Sequence, residues 1–113
     1  MSNTSPSSYK PVAPTRREID ATPGALLLQF GVDWCGHCQA AEPAIAQAIQ
    51  AYPQLAHLRI EDGAGRALGR SFKVKLWPTL VLMHQGQELA RLVRPTQVAQ
   101  VQEFLRHAPK WPR

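Results

Sequence analysis

The chain has 113 residues, 44% of them hydrophobic, and a formal net charge of +5; a single domain is the natural size, burying about 65% of its unfolded surface. The charge excess lies at the ends, in Lys10, Arg16 and Arg17 before residue 18 and in Lys110 and Arg113 after residue 108, whereas residues 18–108 hold eight basic and eight acidic side chains. A balanced middle with only the local cluster Arg66, Arg70, Lys73 and Lys75 argues against a nucleic-acid partner, and the lack of a long apolar run argues against a membrane partner.

Residues 1–17 are rich in Ser, Thr and Pro, which predicts a flexible arm, and residues 109–113 form a short basic tail, leaving 18–108 as the folded domain. No apolar export region precedes that domain, so the reducing cytoplasm is the expected location; there a cysteine pair is more often catalytic than structural.

Pro23-Gly24 opens the apolar run Ala25 to Phe30, which suits a strand covered on both faces. From Gln39 to Ala51, Ala41, Ala44, Ile45, Ala48 and Ile49 recur at helical spacing. Between them lies Trp34-Cys35-Gly36-His37-Cys38, which holds both cysteines of the chain and falls on a strand-to-helix turn. Tyr52-Pro53 ends the helix, and Leu55 to Ile60 alternates as a strand with Ala56, Leu58 and Ile60 on one face. Gly63 to Gly69 predicts a short helix with Ala64, Ala67 and Leu68 inward; its glycines do not spell a phosphate loop. Thr79 to Met83 is a buried strand, His84 to Gln87 a turn, and Glu88 to Val93 an antiparallel partner. Thr96 is placed to cap a last helix, in which Val98, Val101, Leu105 and Ala108 recur until Pro109.

At a helix start, unpaired backbone N–H groups and the macrodipole favour an anion, so Cys35 stands where a thiolate is stabilised, with Cys38 one turn further on. A Cys-x-x-Cys pair is also half of a tetrahedral zinc site, but no further cysteine exists and His37, His57, His84 and His107 show no close pairing, so no metal is expected. A purely structural disulfide is the other alternative. Its loop is too small to remove much unfolded-state entropy, so such a bond is worth more as chemistry than as a staple.

Trp34-Cys35-Gly36-His37-Cys38 resembles the active site of the thioredoxin superfamily, and its Gly-His interior is similar to that of protein disulfide isomerase domains. Pro43 in the following helix, Trp77-Pro78-Thr79 at the place of the family's cis-proline loop, and Gly86 at its last hairpin extend the likeness over roughly residues 18–108. The resemblance implies an α/β thioredoxin-like fold: a central mixed β-sheet flanked by helices, with a shortened N-terminal βα unit, since only residues 16–22 are available before Pro23. It implies no cofactor. It implies a thiol-disulfide oxidoreductase working as a monomer on protein or peptide disulfides and dithiols, with Cys35 as nucleophile, Cys38 as resolving thiol and His37 favouring the Cys35 thiolate. An unidentified upstream reductant would recharge it.

The substrate-facing set implied is Trp34, Gly36, Trp77, Pro78 and Arg94: an aromatic rim, a cis Trp77–Pro78 bond against Cys35, and a Trp77 backbone open to an extended peptide. Two positions depart from the family. Gln29 stands where a buried Asp or Glu is usual, which removes the expected base for Cys38, and His57 stands where a buried Lys is common. Proton transfer through Gln29 or His57 is one reading and a plain strand histidine the other. Arg94 replaces a common Gly and suggests a narrower partner set. These departures also leave room for a second class of function, a binding or chaperone-like adaptor that keeps the fold and seldom turns over.

Overall fold

The computed structural model describes residues 8–109. Its elements are α1 (Arg16–Asp20), β1 (Ala25–Gly31), α2 (Gly36–Ile49), β2 (Ala56–Glu61), α3 (Ala67–Ser71), β3 (Thr79–His84), β4 (Gln87–Val93) and α4 (Val98–Leu105). The four strands lie in the order β2-β1-β3-β4, with β2 parallel to β1 and the other two pairings antiparallel. A parallel neighbour on one side and an antiparallel one on the other make the sheet mixed, with β1 second from its edge.

Alternation along β1 divides the core. Leu27 faces Ala41, Ala44, Ile45 and Ala48 of α2 and Val101, Phe104 and Leu105 of α4. Leu26, Leu28 and Phe30 face Ile19 of α1, Leu68 of α3 and Phe72. Each fully buried leucine contributes about 1.5–3 kcal/mol relative to exposure, so both layers hold the sheet. Gln29 shares the face of Leu27 and is 0% exposed, beside Leu80 on β3 and Arg59 on β2.

Several boundaries differ from the sequence expectation. The latter half of the expected arm is part of the folded unit: Tyr9 is buried, and Lys10 forms a single parallel bridge with Ile60 through Lys10 N–Arg59 O (3.0 Å) and Glu61 N–Lys10 O (2.9 Å). This bridge and the five-residue α1, capped by Thr15 in a reciprocal box with Glu18, are what remains of a first βα unit. Residues 1–7 and 110–113, hence the basic tail after Pro109, lie outside the described residues.

The helix expected over 63–69 begins only at Ala67, because Gly63 and Gly65 take positive φ in a turn; Leu68 and Phe72 point inward while Ala64 and Ala67 are exposed. Leu58 and Ile60 do share a core face, but Ala56 at the strand end is exposed. Gln97, not Thr96, is the N-cap of α4, and the Gln100 side chain reaches back to accept the backbone N–H groups of Thr96 (2.7 Å) and Gln97 (3.0 Å).

Candidate active site

The strand-to-helix turn places both sulfurs. Cys35 is the N-cap of α2 and its Sγ accepts the backbone N–H of Cys38 at 3.4 Å. No acidic residue occupies the first turn of α2, so nothing there offsets the positive end of the helix dipole. Both cysteines are free thiols and buried, Cys35 at 8% and Cys38 at 2% exposure. Burial pushes the Cys38 thiol up to about 11, against a lowering hydrogen bond with the Val32 backbone. Cys38 is therefore held protonated at neutral pH. His37 is exposed on the first turn of α2.

The rim is aromatic. Trp34 is 76% exposed and meets Trp77 edge to face, ring centroids 5.9 Å apart. Trp77 packs on the cluster of Tyr9, Val32, Cys35 and Cys38, and its indole N–H donates to Asp62 at 2.8 Å. The Trp77–Pro78 peptide bond is cis, and Pro78 is buried.

The Trp77 carbonyl, expected to be open to an incoming strand, accepts Arg94 Nε at 2.8 Å, while Arg94 N donates to Pro78 O at 2.9 Å. Arg94 holds φ of 53°, the left-handed region in which a side chain is strained and glycine is not. The Arg94 side chain thus occupies the backbone acceptor at the cis bond.

Beneath the cysteines lies a polar network. Gln29 Nε2 donates to Tyr9 Oη at 2.8 Å and to Glu42 Oε1 at 3.1 Å, Gln29 Oε1 meets His57 Nε2 at 2.8 Å, and Glu42 Oε2 accepts Arg59 at 2.7 Å. Glu42 as an acceptor-only carboxylate fixes which way the Gln29 amide faces. His57 consequently bonds through Nε2–H. Burial, reinforced by the Arg59 charge, drives the His57 imidazole down to about 4, so it is neutral near pH 7.

Of the expected proton-transfer pair, Gln29 and His57 are brought together, with His57 on the far side of Gln29 from Tyr9 and Cys38. Tyr9, Glu42 and Arg59 were not singled out from the sequence. Tyr9 had one signal, a lone aromatic within a Ser- and Pro-rich stretch, and Glu42 had another, four residues after Cys38 on one helix face. A small cavity of about 30 Å³ lined by Tyr9, Val32, Asp33, Cys38, Gln39 and Glu42 opens beside the inner sulfur. Among the described residues, no group of three or more His, Cys, Asp or Glu side chains is placed to hold a metal ion, and no helix is long and apolar enough to cross a membrane.

Comparison with known proteins matches residues 13–107 to the thioredoxin family model. Thioredoxin C-3 of Corynebacterium nephridii is 31% identical over 80 residues, which cover 71% of this chain and 55% of that protein, so the chain spans about half the length of that relative. An H-type thioredoxin of Fagopyrum esculentum is 24% identical over 74% of this chain and 72% of its own length. Among solved structures, reduced thioredoxin 2 of Pseudomonas aeruginosa superposes with a TM-score of 0.80 at 50% identity, covering 88% of this chain and 94% of that one. Trxlp of Edwardsiella tarda, at 24% identity, shares the fold with a TM-score of 0.71 over 87% and 98% of the two chains.

Proposed function

The chain belongs to the thioredoxin family, and from that premise we propose that it is a thiol-disulfide oxidoreductase acting on protein disulfides through Cys35 and Cys38. The observation that carries the reading is the unequal pair at one helix start: an outer sulfur receiving a backbone N–H and an inner thiol held protonated by burial. Cys35 as thiolate attacks one sulfur of the partner's disulfide; a Cys35–partner disulfide forms and the other partner sulfur leaves and takes up a proton. Cys38 then loses its proton and attacks Cys35. The Cys35–Cys38 bond forms as the Cys35–partner bond breaks, and the partner leaves with both its sulfurs reduced. An upstream dithiol reverses the Cys35–Cys38 bond, carrying two electrons per cycle.

Trp34, Gly36, Trp77 and Pro78 supply the docking surface in this reading, apolar enough for a protein segment. His37, exposed at the helix start, favours the Cys35 thiolate in this reading. Arg94 narrows the partner set, since an incoming backbone must displace it from the Trp77 carbonyl. A reducing compartment such as the cytoplasm suits the cycle, with one copy of the chain per partner.

The test is a trap. Cys38→Ser should accumulate a covalent mixed disulfide with a disulfide-bonded protein such as insulin, and Cys35→Ser should form none and turn nothing over. Full turnover by either variant would refute the two-cysteine scheme.

A further inference from the structure

The first described residues do more than start the fold. Tyr9 is anchored by Tyr9 N–Asp33 Oδ1 (2.9 Å) and by the neighbouring Lys10 bridge to β2. Its ring ends beside Cys38, against the bare Cα of Gly31. A Cβ on Gly31 would stand 2.6 Å from Cys38 Sγ and 2.8 Å from Tyr9 Oη, so the glycine is what lets the two meet.

The direction of the network then decides what Tyr9 offers. Glu42 cannot donate, so Gln29 presents its NH₂ to Glu42 and, with the same nitrogen, to Tyr9 Oη. Tyr9 Oη is therefore an acceptor toward Gln29, and its own hydrogen is free to point at Cys38. Of the other polar side chains on the cavity, Asp33 and Glu42 only accept, and the exposed Gln39 already donates one N–H to Asp33 O at 2.8 Å. The links from His57 through Gln29 to Tyr9 all donate in the same direction, toward the side of the network on which Cys38 lies.

We propose that Tyr9 is a catalytic residue of the resolving step, its hydroxyl donating a hydrogen bond to Cys38 Sγ and stabilising the thiolate as it forms. The proposal rests on the reading of Cys35 and Cys38 as the exchanging pair. Burial drives the Tyr9 phenol far above its ordinary range, so it keeps its proton throughout and serves as a donor, not a base. The thiol proton of Cys38 leaves to solvent water through the small cavity, the Cys35–Cys38 bond forms, and the partner sulfur departs with the electron pair. Gln29 is a positioning residue that orients the phenol, which a carboxylate at that place would not do in the same sense.

The test isolates Cys38 in a Cys35→Ala background and compares Tyr9 with Tyr9→Phe by the rate of iodoacetamide alkylation at pH 8. Loss of one hydrogen bond to a charged sulfur should slow alkylation about tenfold. Removing a hydroxyl only widens access, so slowing reports the lost donor; an equal or faster rate overturns the proposal. If Tyr9→Phe does not fold, NMR of the Cys35→Ala protein decides: the Tyr9 hydroxyl proton should move downfield as Cys38 ionises, and a stationary signal overturns the assignment. Failure of the Cys38→Ser trap would remove the exchange reading while leaving these two readouts to judge the Tyr9–Cys38 bond by themselves.

Discussion

A Gln29→Glu exchange replaces one NH₂ by one oxygen at a fully buried place, so it changes charge with almost no change of shape. The nitrogen it removes lies 3.1 Å from Glu42 Oε1. Two negative charges that close repel by about 5 kcal/mol at an effective dielectric of 20, and a hydrogen bond to a charged group worth about 1.5–3 kcal/mol is lost. The cluster avoids the full penalty by binding one proton, on the carboxyl pair or on His57. Protonating an ordinary carboxyl at pH 7 costs about 4 kcal/mol, which caps the destabilisation near that figure. Because the folded variant then holds a proton that its unfolded chain lacks, its stability falls as pH rises, by about 1.4 kcal/mol per pH unit around neutrality. Denaturant melts of wild type and variant from pH 5 to pH 8 should show the gap shrinking to about 1 kcal/mol at pH 5. A gap that is absent, or that stays constant with pH, would refute the placement of the Gln29 amide against Glu42.

Wild-type stability should run the other way in acid. The His57 imidazole titrates near 4 when folded and near 6.5 when unfolded, so the unfolded chain binds the proton first; this contribution is complete above about pH 6.5 and is lost toward pH 4, up to about 3 kcal/mol. From pH 6.5 to pH 4 wild type should lose up to about 3 kcal/mol relative to His57→Gln, which lacks the titrating group, and parallel curves would contradict it. Arg94→Gly relieves a left-handed residue worth about 1 kcal/mol and loses a hydrogen bond of similar size, so stability should change little. It also frees the Trp77 carbonyl, and the KM for a peptide disulfide should fall several-fold; an unchanged KM would mean that Arg94 does not guard the groove.

What the sequence makes legible is the part governed by local rules. The Cys35 cap follows from an apolar strand running into a helix, and the β3–β4 hairpin follows from alternation around Gln85-Gly86. The α3 start is displaced because Gly63 and Gly65 turn the chain with positive φ, a conformation that composition alone does not place. Tyr9 was hidden because its burial depends on three partners distant in sequence, Gly31, Gln29 and Asp33, while its immediate neighbours read as a solvated arm. Glu42 reads as the wet face of a helix, yet Arg59 from β2 and Gln29 from β1 meet it under the site. The same contacts explain how a glutamine is accommodated in the core: Gln29 bonds Tyr9, Glu42 and His57, and leaves no lone polar group for burial to penalise.

The central claim is that Cys35 and Cys38 form one reversible couple. Equilibrating the protein in dithiol-disulfide buffers of graded potential, with thiol counting at each, tests it most directly. Both thiols should appear and vanish together, following a two-electron curve of about 30 mV per decade with a midpoint between about −270 and −120 mV, the span of known exchange proteins. Thiols that titrate separately, or that stay reduced across the whole range, would contradict it.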